Sequence, residues 1–127
     1  MPIDNREGAA REMLRGVADA QTQFNDVGGV GNRLVEIVIA NDSNDEQQAT
    51  TIAQKLASNQ NILGVVGHNS SGPTKSALPE YEKADLGLIS PTSTSTSISS
   101  PIFFRTTPSD TSAGKKLADY TLSLIHI

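Results

Sequence analysis

Apolar residues recur at helical spacing between Glu7 and Phe24, at Ala10, Met13, Leu14, Val17, Ala18 and Phe24, and the run stops at Gly28, Gly29 and Gly31. This pattern predicts one amphipathic helix with a glycine-rich end. Leu34 to Ala40 is apolar except for Glu36 and rich in Val and Ile, which predicts a parallel-sheet strand covered on both faces. Ser43 followed by Glu46 fits a capping box, and Ala49, Ile52, Ala53, Leu56 and Ala57 then share one face of a second helix. Asn61 to Gly67 holds a second strand, Ile62 to Val66. Gly72-Pro73 opens a third helix with Ala77, Leu78, Tyr81 and Ala84 inward, and Pro79 is expected to kink it. Leu86 to Ser90 and Ile102 to Thr106 predict two more strands, and Pro108-Ser109-Asp110 leads into a fourth helix marked by Ala113, Leu117, Tyr120 and Leu124.

Strands alternating with helices of ordinary length imply right-handed crossovers. The predicted class is α/β, a doubly wound, mainly parallel sheet with helices on both faces. In such sheets ligands sit beyond the carboxyl ends of the strands, so the loops there are the places to look for chemistry.

The chain of 127 residues fits a single domain. Aromatic residues make up only 4%, so Leu, Ile, Val and Ala must fill its core and any pocket is lined by small and polar groups. A net charge of −4 without a basic cluster removes the electrostatic footprint of a nucleic-acid binder, and no nucleic-acid partner is expected. The absence of cysteine excludes a disulfide framework and thiolate metal sites and is silent about compartment. No stretch is apolar enough to span a bilayer, and the opening residues lack the basic and apolar regions of a signal peptide.

Two hydroxyl-rich segments leave strand ends. Val66 to Thr74 runs into a helix start, where free N–H groups and the helix dipole attract an anion such as a carboxylate, and Ser70, Ser71 and Thr74 add hydroxyl donors. Helix capping alone also accounts for these serines. The second segment, Ile89-Ser90-Pro91-Thr92-Ser93-Thr94, opens on the same sheet edge; a carbonyl and a threonine hydroxyl there suit an ammonium, so the pair has the polarity of a zwitterionic amino acid. Pro91 to Ser100 equally has the composition of a solvated Ser/Thr linker.

Other candidates are weaker. Asn41-Asp42 is placed to bind a metal or accept a phosphoryl group, or simply to end a strand in a turn. His68 with Ser70 or Ser71 suggests a hydrolase, but Asn69 stands where a nucleophile elbow needs its first glycine, and no partner acid is evident. His126 has no second ligand at helical spacing, so neither a metal nor another cofactor is predicted.

Taken in order, Leu14-Arg15-Gly16-Val17-Ala18, Asn41-Asp42, Val66-Gly67-His68 with Ser70-Ser71-Gly72, Ile89-Ser90-Pro91, and Phe104-Arg105-Thr106 with Asp110 resemble the type I periplasmic solute-binding proteins, in particular the leucine/isoleucine/valine-binding branch. The likeness runs from about Glu7 to Tyr120. It implies the first of two lobes that close over an amino acid for an ABC transporter outside the cytoplasmic membrane, with no enzymatic activity. Residue by residue, it implies that Ser71 binds the carboxylate, that the Thr92 main chain contacts the ligand, and that Thr94 binds the head group through its hydroxyl and N–H. Ser70 and Ser93 complete the expected ligand-binding set. A ligand-sensing domain of a receptor or signalling protein with this fold is the alternative.

The chain departs from that pattern in three ways. Met1 to Arg6 cannot supply the apolar strand that precedes the first helix in the family, so a central sheet position is expected to be vacant. Residues 121–127 depart from the continuation toward the hinge and read as a tail that is not native to the lobe; Leu122 to Ile127 is one candidate to fill the vacancy, and a strand swapped between two copies is another. The second lobe is the third missing part, and a lone lobe is expected to bind ligand weakly.

Overall fold

The computed structural model describes residues 1–2 and 7–125. Its elements are α1 (Glu7–Asp26), α2 (Glu46–Ala57), β1 (Val65–Val66), α3 (Ser71–Lys83), β2 (Leu88–Ser90), β3 (Phe103–Arg105) and α4 (Asp110–Ile125). The strands form one parallel sheet in the order β1-β2-β3, with Val65 opposite Leu88 and Leu88 opposite Phe103. The α/β class with a parallel sheet therefore holds, although each strand is shorter than its apolar run.

Helix α1 ends where the pattern placed its stop. The Gly28 and Gly29 amides fold back onto the Asn25 and Phe24 carbonyls at 3.0 Å, and both glycines have positive φ. Gly29 admits no side chain, because a Cβ there would sit 2.0 Å from the Arg33 carbonyl oxygen. Gly31 and Asn32, both left-handed, then turn the chain between Val30 and Arg33, which exchange both main-chain hydrogen bonds.

The segment 34–40 is the main difference from the predicted elements. It joins no ladder, and Leu34, Val38 and Ile39 are 56–64% exposed. A strand is defined by its neighbour, and the position between this segment and β1 is a groove of about 560 Å³. Among the described residues, the segment's hydrogen bonds lie toward its two ends. Gln21 and Asn25 of α1 bond to Val35, and Met1 bonds to Ala40 and Asp42. Residues 122–125 of the tail do not fill the groove, because they continue α4; His126 and Ile127 lie outside the described residues.

The start of α2 is a second difference. Its N-cap is Asp45, which accepts from the Gln48 amide at 2.7 Å, and not Ser43. Ser43 and Asn44 are both left-handed, the tight turn needed to bring the chain from Asp42 into the helix, so the cap falls two residues later. Glu46 does not close a capping box; its carboxylate accepts from the Ser76 hydroxyl of α3 at 3.2 Å.

The core lies between α2, α3 and one face of the sheet. Ala49, Ala53 and Ala77 have no exposed surface and let the two helices approach closely, and Leu78, Tyr81, Leu86, Leu88 and Ile98 fill the space beneath them. α3 passes through Pro79 as one helix. The opposite face of the sheet presents Val66, Ile89 and Phe104, 42–59% exposed, and α4 has no buried residue.

Candidate functional site

Three short parallel strands aim their carboxyl ends at one edge. The β1–α3 loop (67–70) and the loop after β2 (91–102) meet there, and a set of buried hydroxyls joins them. Ser90 Oγ donates to the His68 carbonyl at 3.0 Å, and Thr74 Oγ1 donates to the Ser70 carbonyl at 2.8 Å. Ser93 Oγ lies between them, 2.8 Å from Ser90 Oγ and 2.6 Å from Thr74 Oγ1. Three hydroxyl protons serve these four contacts, so with two given to the carbonyls the Ser93 proton bonds one of its two hydroxyl neighbours and packs against the other. Thr92 Oγ1 adds a bond to the Asn69 carbonyl at 2.6 Å, and the Ser95 amide donates to Ser71 Oγ at 3.3 Å.

This arrangement sorts the residues expected to bind ligand. Ser93 is fully buried and its hydroxyl is engaged inside the loop junction. Thr92 is exposed, but its hydroxyl already serves the Asn69 carbonyl. Ser70, the N-cap of α3, and Ser71 are half-buried and only accept, from the Asn69 side-chain amide at 3.4 Å and the Ser95 amide respectively, so both keep a proton to donate. Thr94 is half-buried and its hydroxyl has no partner among the described residues, while its carbonyl accepts from the Asp110 amide at 2.9 Å. Three uncommitted hydroxyls, on Ser70, Ser71 and Thr94, thus stand at the amino end of α3, where main-chain N–H groups and the helix dipole favour an anion.

A profile of periplasmic binding proteins matches residues 6–124. The chain belongs to this family. Among its curated relatives, the leucine-, isoleucine-, valine-, threonine- and alanine-binding protein of Pseudomonas aeruginosa is 34% identical over 122 residues, covering 87% of this chain and 32% of its own length. Among solved structures, an ABC transporter substrate-binding protein of Desulfitobacterium hafniense in complex with Leu superposes with a TM-score of 0.83 at 32% identity, covering 88% of this chain and 34% of that one. The branched-chain amino acid transporter substrate-binding protein of Streptococcus pneumoniae, in complex with isoleucine, superposes with a TM-score of 0.75 at 25% identity, covering 80% and 30%. The chain spans about a third of the length of these binding proteins.

Beneath the loop of this periplasmic binding protein lies a cluster that the sequence did not reveal. His68 is buried, with Nδ1 in a short contact to Asp42 Oδ2 and Nε2 3.2 Å from the Tyr81 hydroxyl. The Met1 nitrogen is 3.5 Å from Asp42 Oδ1. Burial by itself pushes the Asp42 carboxyl up, but hydrogen bonds from His68 and the Asn44 amide, with the charges of His68 and Met1, outweigh it and hold Asp42 at about 2. Burial, and secondarily the Asp42 charge, pushes the Tyr81 phenol well above its ordinary value, so it stays protonated beside Nε2. His68 thus links Asp42 and Tyr81 through its two ring nitrogens.

Both nitrogens of His68 are therefore engaged, and neither faces Ser70 or Ser71, which removes the geometry a hydrolase requires. Asp42 is 1% exposed and caps its own turn, accepting from the Asn44 amide at 3.2 Å, so its place is structural. Asp42 and His68 are far apart in sequence, and the only signal that joins them is that each follows an apolar run. His126 lies outside the described residues.

Arg105, at the carboxyl end of β3, is a second residue the sequence did not single out as part of the site. It donates to the Ser95 and Ile98 carbonyls at 3.1 and 3.0 Å and lies over the Phe103 ring at 5.0 Å. With Ile98 buried in the core, these contacts fold 91–102 into an ordered loop and exclude the solvated-linker reading.

Proposed function

We propose that this chain is the amino-terminal lobe of a two-lobe, extracytoplasmic solute-binding protein that captures an amino acid, of the branched-chain or a related class, for an ABC transporter. The observation that carries the reading is the three free hydroxyls of Ser70, Ser71 and Thr94, gathered from two cross-linked loops at the amino end of α3. Ser70, Ser71 and the α3 amides take the ligand carboxylate, and Thr94 with the Thr92 main chain holds the rest of the head group, while Ser93 supports the loop. A rigid junction suits this task, because groups already in place lose little freedom when the ligand arrives. The second lobe supplies the remaining ammonium contact and the side-chain pocket, and closure of the lobes signals to the membrane subunits of the transporter. The relatives that bind Leu and Ile support an aliphatic side chain.

Calorimetric titration of the full-length protein with leucine, isoleucine, valine, alanine and lysine tests the proposal, with this chain titrated beside it. Saturable heat from the aliphatic amino acids in the full-length protein, weakened or lost in the lone lobe, is the expected result. Absence of binding to every amino acid would overturn it.

A further inference from the structure

Among the described residues, the hydrogen bond to Ser71 Oγ comes from the opposite loop, where the Ser95 amide donates to it at 3.3 Å. A hydroxyl that accepts on one side aims its own proton away from that side, so the Ser95 amide determines the direction in which Ser71 donates. The peptide unit that carries this amide also carries the Thr94 carbonyl, which accepts from the Asp110 amide at the start of α4 at 2.9 Å. The planar unit is thus held on one edge by α4 and presents its other edge to Ser71. On the far side of Ser95, its carbonyl accepts from Arg105 Nη2 at 3.1 Å and from the Ile98 amide at 3.4 Å, which closes a turn over residues 95–98. The same Nη2 donates to the Ile98 carbonyl at 3.0 Å, and the guanidinium lies over the Phe103 ring, 5.0 Å from its centroid, so β3 itself orients the side chain. Nη1 is buried without a partner among the described residues, so the hold on the loop rests on Nη2.

We propose that Arg105 is a positioning residue for the solute site: by fixing the turn at Ser95 it sets the amide that orients Ser71 and the main chain that carries Thr94. This rests on the reading of Ser71 and Thr94 as ligands of the amino-acid head group. Nη2 is taken up by two loop carbonyls, so Arg105 places the loop and acts on the solute through Ser95. Without the guanidinium, the turn keeps one main-chain bond of 3.4 Å, beyond the usual range for N–H···O. The Ser95 amide then loses its fixed place, the Ser71 proton loses its direction, and the ordering of both falls on the binding step. A positive charge acting through space on the carboxylate would matter equally with and without the Ser71 hydroxyl. A positioning residue instead loses much of its effect once that hydroxyl is gone.

The test uses the full-length protein and whichever of leucine, isoleucine, valine, alanine and lysine the native form binds most tightly. Calorimetry compares the native protein, Arg105→Met, Ser71→Ala and the double variant, each below its melting transition, and amide exchange follows Ser95. Arg105→Met is expected to weaken binding at least about tenfold and to speed exchange at Ser95. In the Ser71→Ala background the same change is expected to cost less than about threefold. Arg105→Lys keeps a charged donor and is expected to fall between the native protein and Arg105→Met in both readouts, so it serves as the test if Arg105→Met does not fold. Undiminished affinity in the Arg105 variants, an equal loss with and without the Ser71 hydroxyl, or unchanged exchange at Ser95 would each overturn the inference and leave the amino-acid reading standing. A native protein that binds none of the five amino acids would overturn that reading, and the inference with it.

Discussion

The side-chain amide of Asn25 makes both main-chain hydrogen bonds of Val35, accepting from its N–H at 2.9 Å and donating to its carbonyl at 3.0 Å. A helix residue thus stands in for a neighbouring strand at one position, and Gln21 donates to the same carbonyl at 3.0 Å. Asn25→Leu keeps the bulk and removes both bonds. It is expected to destabilise the chain by about 1 kcal/mol, toward the lower end of the usual penalty because the segment is half-exposed. The urea midpoint and faster exchange of the Val35 amide would report it; unchanged exchange would show that the segment is held elsewhere.

Asp42 links stability to pH. Its folded value, about 2, lies below the ordinary 3.8, so its contribution is present above pH 4 and is lost as pH falls through 2. A shift of this size corresponds to about 2 kcal/mol. Asp42→Asn is expected to lower the melting temperature at pH 7, and its difference from the native chain should shrink between pH 4 and 2. A difference that stays constant with pH would assign the loss to packing.

Ser93 and Ser71 should separate stability from binding. Ser93→Ala removes a fully buried hydroxyl between Ser90 and Thr74 and is expected to lower the stability of this chain by about 1 to 3 kcal/mol. Ser71→Ala or Thr94→Ala in the full-length protein is expected to leave the melting temperature nearly unchanged and to weaken amino-acid binding by about 1 to 3 kcal/mol. Calorimetry beside thermal melts checks both, and unchanged affinity in the Ser71 and Thr94 variants would remove these side chains from the site.

Arg105 ties the loop 91–102 to the sheet. Arg105→Met keeps the packing on Phe103 and loses both carbonyl contacts, so limited proteolysis is expected to cut the variant within 91–100 well before the native chain. Both bonds leave a single guanidinium nitrogen, Nη2, so Arg105→Lys, which keeps a charged nitrogen with several donors, is expected to restore part of the protection. Equal cleavage rates would mean that Ile98 alone anchors the loop.

Much of this architecture was legible because it is local. The stripes of α1, α2 and α3 and the apolar runs at 88–90 and 103–105 depend on near neighbours, and so does the stop at Gly28 and Gly29. What was not legible depends on residues distant in sequence. Segment 34–40 has strand composition, but a ladder requires a partner that its own residues do not specify. The cap at Asp45 follows from two left-handed residues after Asp42 that Ser43-Asn44 does not advertise. Within the site, hydroxyl-rich composition marked both loops but could not tell the Ser93 hydroxyl, consumed internally, from the free one on Thr94. The pairing of Asp42 with His68 appears only when the fold brings the two loops together.

The strand order β1-β2-β3 follows the order of synthesis. Every rung of the sheet joins a strand to the one that emerged just before it, so each new strand finds its template already made and none must wait for a distant part of the chain. Such a sheet can grow vectorially, one crossover at a time, behind a ribosome or a translocation channel.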